Sequence, residues 1–197
     1  MVHTIAPAVR RKPTLTGWAL VVIPYMAGSI LGGAFTGAFV AAVGSVLRRA
    51  GPSHIAVLAL FIAVCTVAVI RDMLRPTSVL PSLQRQVPAR WRATLPLGYA
   101  TFLYGIQLGL GWATHVYFGS YYILLGMILL TGNIKTGLLV HATYGLARGA
   151  VVLLFPNTSA DRMDARLMKL GRLRGQAGWI SALSGTLAVS VAVIRII

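Results

Sequence analysis

The sequence predicts an all-α, polytopic membrane helix bundle with five or six transmembrane passages, and three observations predict it. Hydrophobic residues make up 57% of the 197 positions and charged residues 11%, against about 25% charged in a soluble domain. Mean hydropathy is +0.78. The apolar residues are gathered into blocks long enough to cross a hydrocarbon core of roughly 30 Å, and the basic residues fall almost wholly between those blocks.

Residues 1–14 form a basic tail with Arg10, Arg11 and Lys12. The apolar run that follows is far longer than the core of a signal peptide, so it is expected to be a retained first helix. Residues 15–197 then make a single helical domain. The first block, Gly17 to Leu47, exceeds one bilayer width at about 1.5 Å per residue. Pro24 and the small residues Gly28, Ser29, Gly32, Gly33 and Gly37 predict a helix that is broken or steeply tilted and closely approached by its neighbours. Arg48, Arg49 and a Gly51-Pro52-Ser53 turn close it.

His54 to Ile70 reads as the simplest span, ending at Arg71 and Asp72. The connection to Arg92 carries Pro76, Pro81 and Pro88, and Trp91 between two arginines suits the head-group layer. The third block, Leu95 to Thr131, is too long for one straight span, and a break near Gly119 is expected. After Gly132-Asn133, a helix from Ile134 is stopped by Pro156. Met163, Leu167, Leu170 and Leu173 recur at helical spacing, which predicts an amphipathic helix lying on the membrane. Trp179 to Ile197 is the last apolar helix.

Two topologies compete. If the third block is one broken passage, the chain crosses five times, and thirteen of its eighteen Lys and Arg residues lie on the side of the N-terminal tail against four opposite. Two full spans there would reduce the contrast to ten against seven. The positive-inside rule favours the first arrangement, with the N-terminus cytoplasmic and the chain in the plasma membrane. A weak internal repeat, about 17–73 and 95–155, pairs Gly28-Ser29-Ile30-Leu31-Gly32 with Gly105-Ile106-Gln107-Leu108-Gly109; chance similarity between glycine-rich helices competes with duplication.

A net charge of +15 would point to nucleic acid in a soluble protein, but basic residues confined to inter-helix segments serve orientation and lipid anchoring, so the expected partner is the bilayer. Cys65 is the one cysteine, which excludes an intramolecular disulfide and a paired-cysteine metal site. No phosphate loop, zinc helix or nucleophile motif is present, and Asp72, Asp161 and Asp164 are read as loop residues, so an enzyme is the less expected class. No cofactor is indicated.

Polar residues inside apolar blocks are the informative feature, because ionisable groups at membrane depth are functional candidates. They are Gln107, Thr114 and His115 in the third block and His141, Tyr144 and Arg148 in the next. Spaced by three and four residues, His141, Tyr144 and Arg148 share one helix face. No apolar block holds a carboxylate to pair with Arg148. Backbone carbonyls, a lipid phosphate, an anionic ligand or a subunit could accept its donors, or it could snorkel, being about 10 Å along the helix from Phe155. His115 and His141 could relay protons or join a metal site, but structural hydrogen bonding competes and two histidines make an incomplete site. The aromatics Trp112, Tyr117, Phe118, Tyr121 and Tyr122 could bind an apolar substrate or cofactor, but the interfacial-anchor reading leads.

Leu103-Tyr104-Gly105-Ile106-Gln107-Leu108-Gly109-Leu110-Gly111-Trp112-Ala113-Thr114, a helix, a glycine turn and a second helix with Tyr144-Gly145-Leu146 together carry a resemblance. The stretch from Phe102 to Phe155 is similar to the second half of the DsbD/CcdA-type transmembrane thiol-disulfide carriers, within a wider group that includes LysE-type exporters. It covers less than a third of the chain. The resemblance implies a helical membrane carrier, but the proline-cysteine pair expected after the tryptophan is replaced by Thr114-His115, and Tyr25-Met26 follows Pro24 in the first block. A thiol relay needs two cysteines, so Cys65 could act only with a partner's thiol. The expected function is a carrier or permease for a small, possibly anionic solute; a redox or maturation partner, or a subunit of a membrane complex or homo-oligomer, is the alternative.

Overall fold

The computed structural model describes residues 15–51, 54–74, 94–114, 116, 118–154, 176, 177, 179–181 and 183. Every element among them is helical: α1 (Leu15–Arg49), α2 (His54–Leu74), α3 (Leu97–Gly109), α4 (Ser120–Thr131) and α5 (Ile134–Ala150), the last extended by a 3-10 turn, Val151–Leu154. Three are long and apolar enough to cross a membrane: Gly17–Arg49, Val57–Leu74 and Ile134–Leu153. The basic tail, the proline-rich connection, the amphipathic segment and most of the final apolar block lie outside the described residues.

Many large apolar side chains point outward. Leu20, Ile23, Leu31, Phe35 and Phe39 of α1, Leu60 and Val67 of α2, and Leu139 of α5 are exposed, whereas Ser29, Thr36, Thr101, Thr114 and His141 are buried. This suits a lipid-facing bundle, where the apolar surroundings supply no hydrophobic drive and small residues bring backbones together.

α1 is the hub. Gly28 and Gly32 lie on one ridge and Gly33 and Gly37 on another about 100° round the helix. The first ridge receives α3: a Cβ on Gly28 would meet Phe102 O, one on Gly32 would meet Ile106 O, and Cβ atoms on Gly105 and Gly109 would run into Tyr25 O and Ser29 O. Residue numbers rise together across this contact, so α1 and α3 are parallel. The two glycine-flanked strings that resemble each other in sequence thus pack against each other. The second ridge receives α5 antiparallel: Gly37 lies on Gly137 and His141, Gly33 on His141 and Gly145, and Ser29 Oγ donates to Gly145 O at 2.7 Å.

α1 corrects the expectation of a broken first block, since it runs unbroken through Pro24. Proline removes one N–H donor, here the bond to Leu20 O, and crowds that carbonyl. Val21, Val22 and Tyr25 on either side of it are locked into the core with Tyr104, Leu108 and Val152, and such packing lets a membrane helix absorb the lost bond.

The third block is two helices with an irregular segment between them. Gly111 adopts φ +70°, and a Cβ there would also strike the Tyr121 ring, so glycine is required twice over. α4 ascends alongside the far half of α1: Gly44 packs on Leu129, and the Gly132 turn meets Ser45 and Arg48. α3 and α4 therefore run in the same direction, each beside a different half of α1. α2 runs antiparallel to α4, with Phe61 against Gly126 and Ala68 against Gly119.

Candidate functional site

Buried non-helical backbone is tolerated where protein groups satisfy its polar atoms. The break between α3 and α4 meets that condition through side chains from three helices. Tyr121 Oη donates to Leu110 O (3.0 Å) and accepts from Trp112 N–H (3.1 Å). Thr36 Oγ1 of α1 donates to Leu110 O (3.3 Å), and the buried Thr114 Oγ1 to Gly111 O (3.0 Å). Arg148 Nη1 of α5 reaches Leu108 O (3.2 Å) at the end of α3.

His141 sits against this break. It is fully buried, and neither Nδ1 nor Nε2 has a hydrogen-bond partner. Tyr121 and Tyr144 flank it with ring centroids 5.8 and 5.4 Å away, and they stand 5.3 Å from each other. The Arg148 guanidinium lies 5.8 Å from the centroid of the Tyr144 ring, a cation–π distance. The buried face of α5 reads Gly137, His141, Gly145, Gly149, so an imidazole occupies a ridge otherwise made of glycine. Gly37 opposite makes the room, since a Cβ there would come within 2.6 Å of His141 Cβ.

Of the residues expected from sequence, His141, Tyr144 and Arg148 share one face and converge as the spacing requires. Thr114 lies in the break itself, and Gln107 is half-buried on α3, one residue before the carbonyl that Arg148 contacts. His115 lies outside the described residues. Tyr121, expected as an interfacial anchor, is instead buried and bridges the broken backbone. Its hydroxyl, twelve positions from the end of α3, gave no sequence signal of that role.

Asp72 is a second correction. Read as a loop acid, it lies in the last turn of α2 and is 2% exposed. Oδ2 accepts from Gly119 N–H and from Ser181 Oγ, both at 2.7 Å, and Oδ1 pairs with Arg71 Nη1 at 2.7 Å. Ser181 Oγ in turn accepts from Ser120 N–H at 3.3 Å. A buried carboxylate thus caps the N-terminus of the short helix α4, where the helix dipole favours negative charge, and ties α2 and Ser181 to the break. The Arg71-Asp72 pair at the end of an apolar run was the available signal.

Comparison with known proteins leaves the family open. No family model matches the chain, and no solved structure matches it. A stretch of 68 residues is 34% identical to the "Methylamine utilization protein MauF" of Methylophilus methylotrophus, covering 34% of this chain and 24% of that protein. The match thus spans about a quarter of that relative's length.

Cys65 is buried at 0% exposed in a cluster with Phe61, Ala68 and Ile123. No group of three potential metal ligands occurs among the described residues. Cys65→Ser is therefore expected to leave any activity intact, and maleimide labelling of the folded protein to be slow until denaturant is added. Fast labelling without denaturant would contradict this burial.

Proposed function

We propose that the protein is a multi-pass carrier for a small anionic solute, with its binding centre at the break between α3 and α4. His141 carries the reading. A buried polar atom without a partner costs about 1–3 kcal/mol, and His141 holds two such atoms where the rest of the α5 ridge is glycine. A solute able to accept from one ring nitrogen and donate to the other, or water held in its place, removes that cost. Arg148, two turns along the same helix face with the Tyr144 ring between it and His141, supplies the positive charge that an anion requires, and Tyr144 and Tyr121 supply the walls. A polar centre at a discontinuous helix is where carriers commonly place their sites.

The parallel course of α3 and α4 supports counting the third block as one broken passage. Five crossings follow, with the basic majority and the N-terminus on the cytoplasmic side of the plasma membrane.

The test is flux into liposomes of the purified protein, with small carboxylates, inorganic phosphate and methylammonium as separate solutes. Arg148→Ala and His141→Ala are each expected to lower anion flux about tenfold or more, the loss of a charge-assisted bond of ~1.5–3 kcal/mol. His141→Phe, which keeps a ring but no nitrogen, is expected to fail as well. Wild-type rates in all three variants would remove these residues from the pathway.

A second reading, a redox or maturation partner, is supported by the resemblance to thiol-disulfide carriers. It requires Cys65 to meet a partner's thiol, which the complete burial of Cys65 opposes, and the full activity expected of Cys65→Ser in the native host would exclude it.

A further inference from the structure

A separate cleft lies where α1 ends and the α4–α5 turn begins. It has a volume of about 740 Å³ and is lined by Ser45, Arg48, Arg49, the Gly132-Asn133 turn and Lys135, a size within the roughly 300–1,000 Å³ usual for small-ligand sites. Three cations from two elements converge on it. Among the described residues the one carboxylate is Asp72, which is engaged at Gly119, at the far end of α4 and about 18 Å along that helix. No described acid therefore neutralises this cluster.

The local geometry selects for an anion. The Arg48 guanidinium lies over the Gly132 turn, with Nη2 2.7 Å from where a Cβ would stand, so the left-handed glycine (φ +51°) leaves room for it. Asn133 caps α5 by accepting from Thr136 N–H at 3.1 Å, which commits that side-chain oxygen to the helix. Ser45 Oγ donates to Ala42 O at 2.7 Å. What remains to meet a ligand is positive: Arg48, Arg49, Lys135 and, with Thr136 N–H already taken by Asn133, the N–H groups of Ile134 and Lys135 at the start of α5, which have no acceptor within the helix.

We propose that this cleft is a phosphate-oxyanion site distinct from the His141 centre. The same chemistry is offered by the head group of an anionic phospholipid and by soluble phosphate. Arginine forks hold phosphate oxygens in pairs and the lysine adds a point charge. Its position at the ends of apolar helices sets it at head-group depth, which places the lipid phosphate first. The cleft shares no lining residue with the His141 centre.

Full-length protein in nanodiscs provides the test. In one arm, discs containing phosphatidylglycerol are used and the phospholipid retained after transfer to detergent is counted by native mass spectrometry. In the other, phosphatidylcholine discs are titrated with inorganic phosphate by calorimetry. Arg49→Gln/Lys135→Gln changes exposed side chains, and Arg10→Gln/Arg11→Gln removes equal charge elsewhere as a control. The cleft variant is expected to lose about tenfold in affinity or retention while the control does not, and the arm that shows the difference identifies the source of the phosphate. No binding in either arm, or equal loss in both variants, would overturn the site.

Discussion

Gly105→Ala and Gly109→Ala are expected to leave little folded protein. Each added Cβ would enter the backbone of α1, at Tyr25 O and Ser29 O, and neither neighbour is a flexible side chain that could swing aside. Overpacking in an ordinary core costs about 1–3 kcal/mol; a clash of backbone on backbone along a parallel crossing is expected to exceed that, a large share of a total stability of ~5–15 kcal/mol. The measurement is the monodisperse fraction after detergent extraction and the midpoint of thermal unfolding followed by tryptophan fluorescence. Gly98→Ala is the control, because its Cβ would stand 3.9 Å from Leu20 O and Pro24 Cγ, an ordinary contact. Equal midpoints for Gly98→Ala and Gly105→Ala would refute the crossing.

Asp72→Ala is expected to be the most damaging change outside the glycine ridges. It takes the acceptor from Gly119 N–H and Ser181 Oγ and the counter-charge from Arg71, whose side chain is 16% exposed. Removing one partner of a buried ion pair typically costs ~3–5 kcal/mol. Asp72→Asn keeps an oxygen for Gly119 N–H and is expected to lose less, so the order of thermal midpoints should be wild type, Asn, Ala. Asp72→Glu, which keeps the charge but lengthens the arm in a site with no slack, should fall below wild type too. Wild-type midpoints for Asp72→Ala would show that the cap on α4 holds nothing together.

The extent to which the site was legible in the sequence follows from the range of the interactions that build it. His141, Tyr144 and Arg148 are three and four residues apart, and helical geometry alone puts them on one face. Tyr121 and Asp72 take their roles from distant partners: Tyr121 bridges Leu110 and Trp112 across a break, and Asp72 reaches Gly119, forty-seven positions away. An acid next to an arginine at the end of an apolar run looks the same whether it faces water or caps a neighbouring helix. Pro24 misled for a related reason, since its local effect is to break a helix and only the packing of Val21, Val22 and Tyr25 shows why it does not.

By itself the sequence determined that this chain forms long apolar helices, that small residues would bring them close, and that a few polar groups would be carried into the apolar region. Those properties depend on composition and on spacing of three or four residues. Only the tertiary structure decided that the two glycine-flanked strings are partners in one crossing, that α3 and α4 share a direction, and that a carboxylate is buried at the break. Each of these is a choice between helix faces far apart in the chain, and backbone contacts at missing Cβ atoms, rather than any local preference, settle which faces meet.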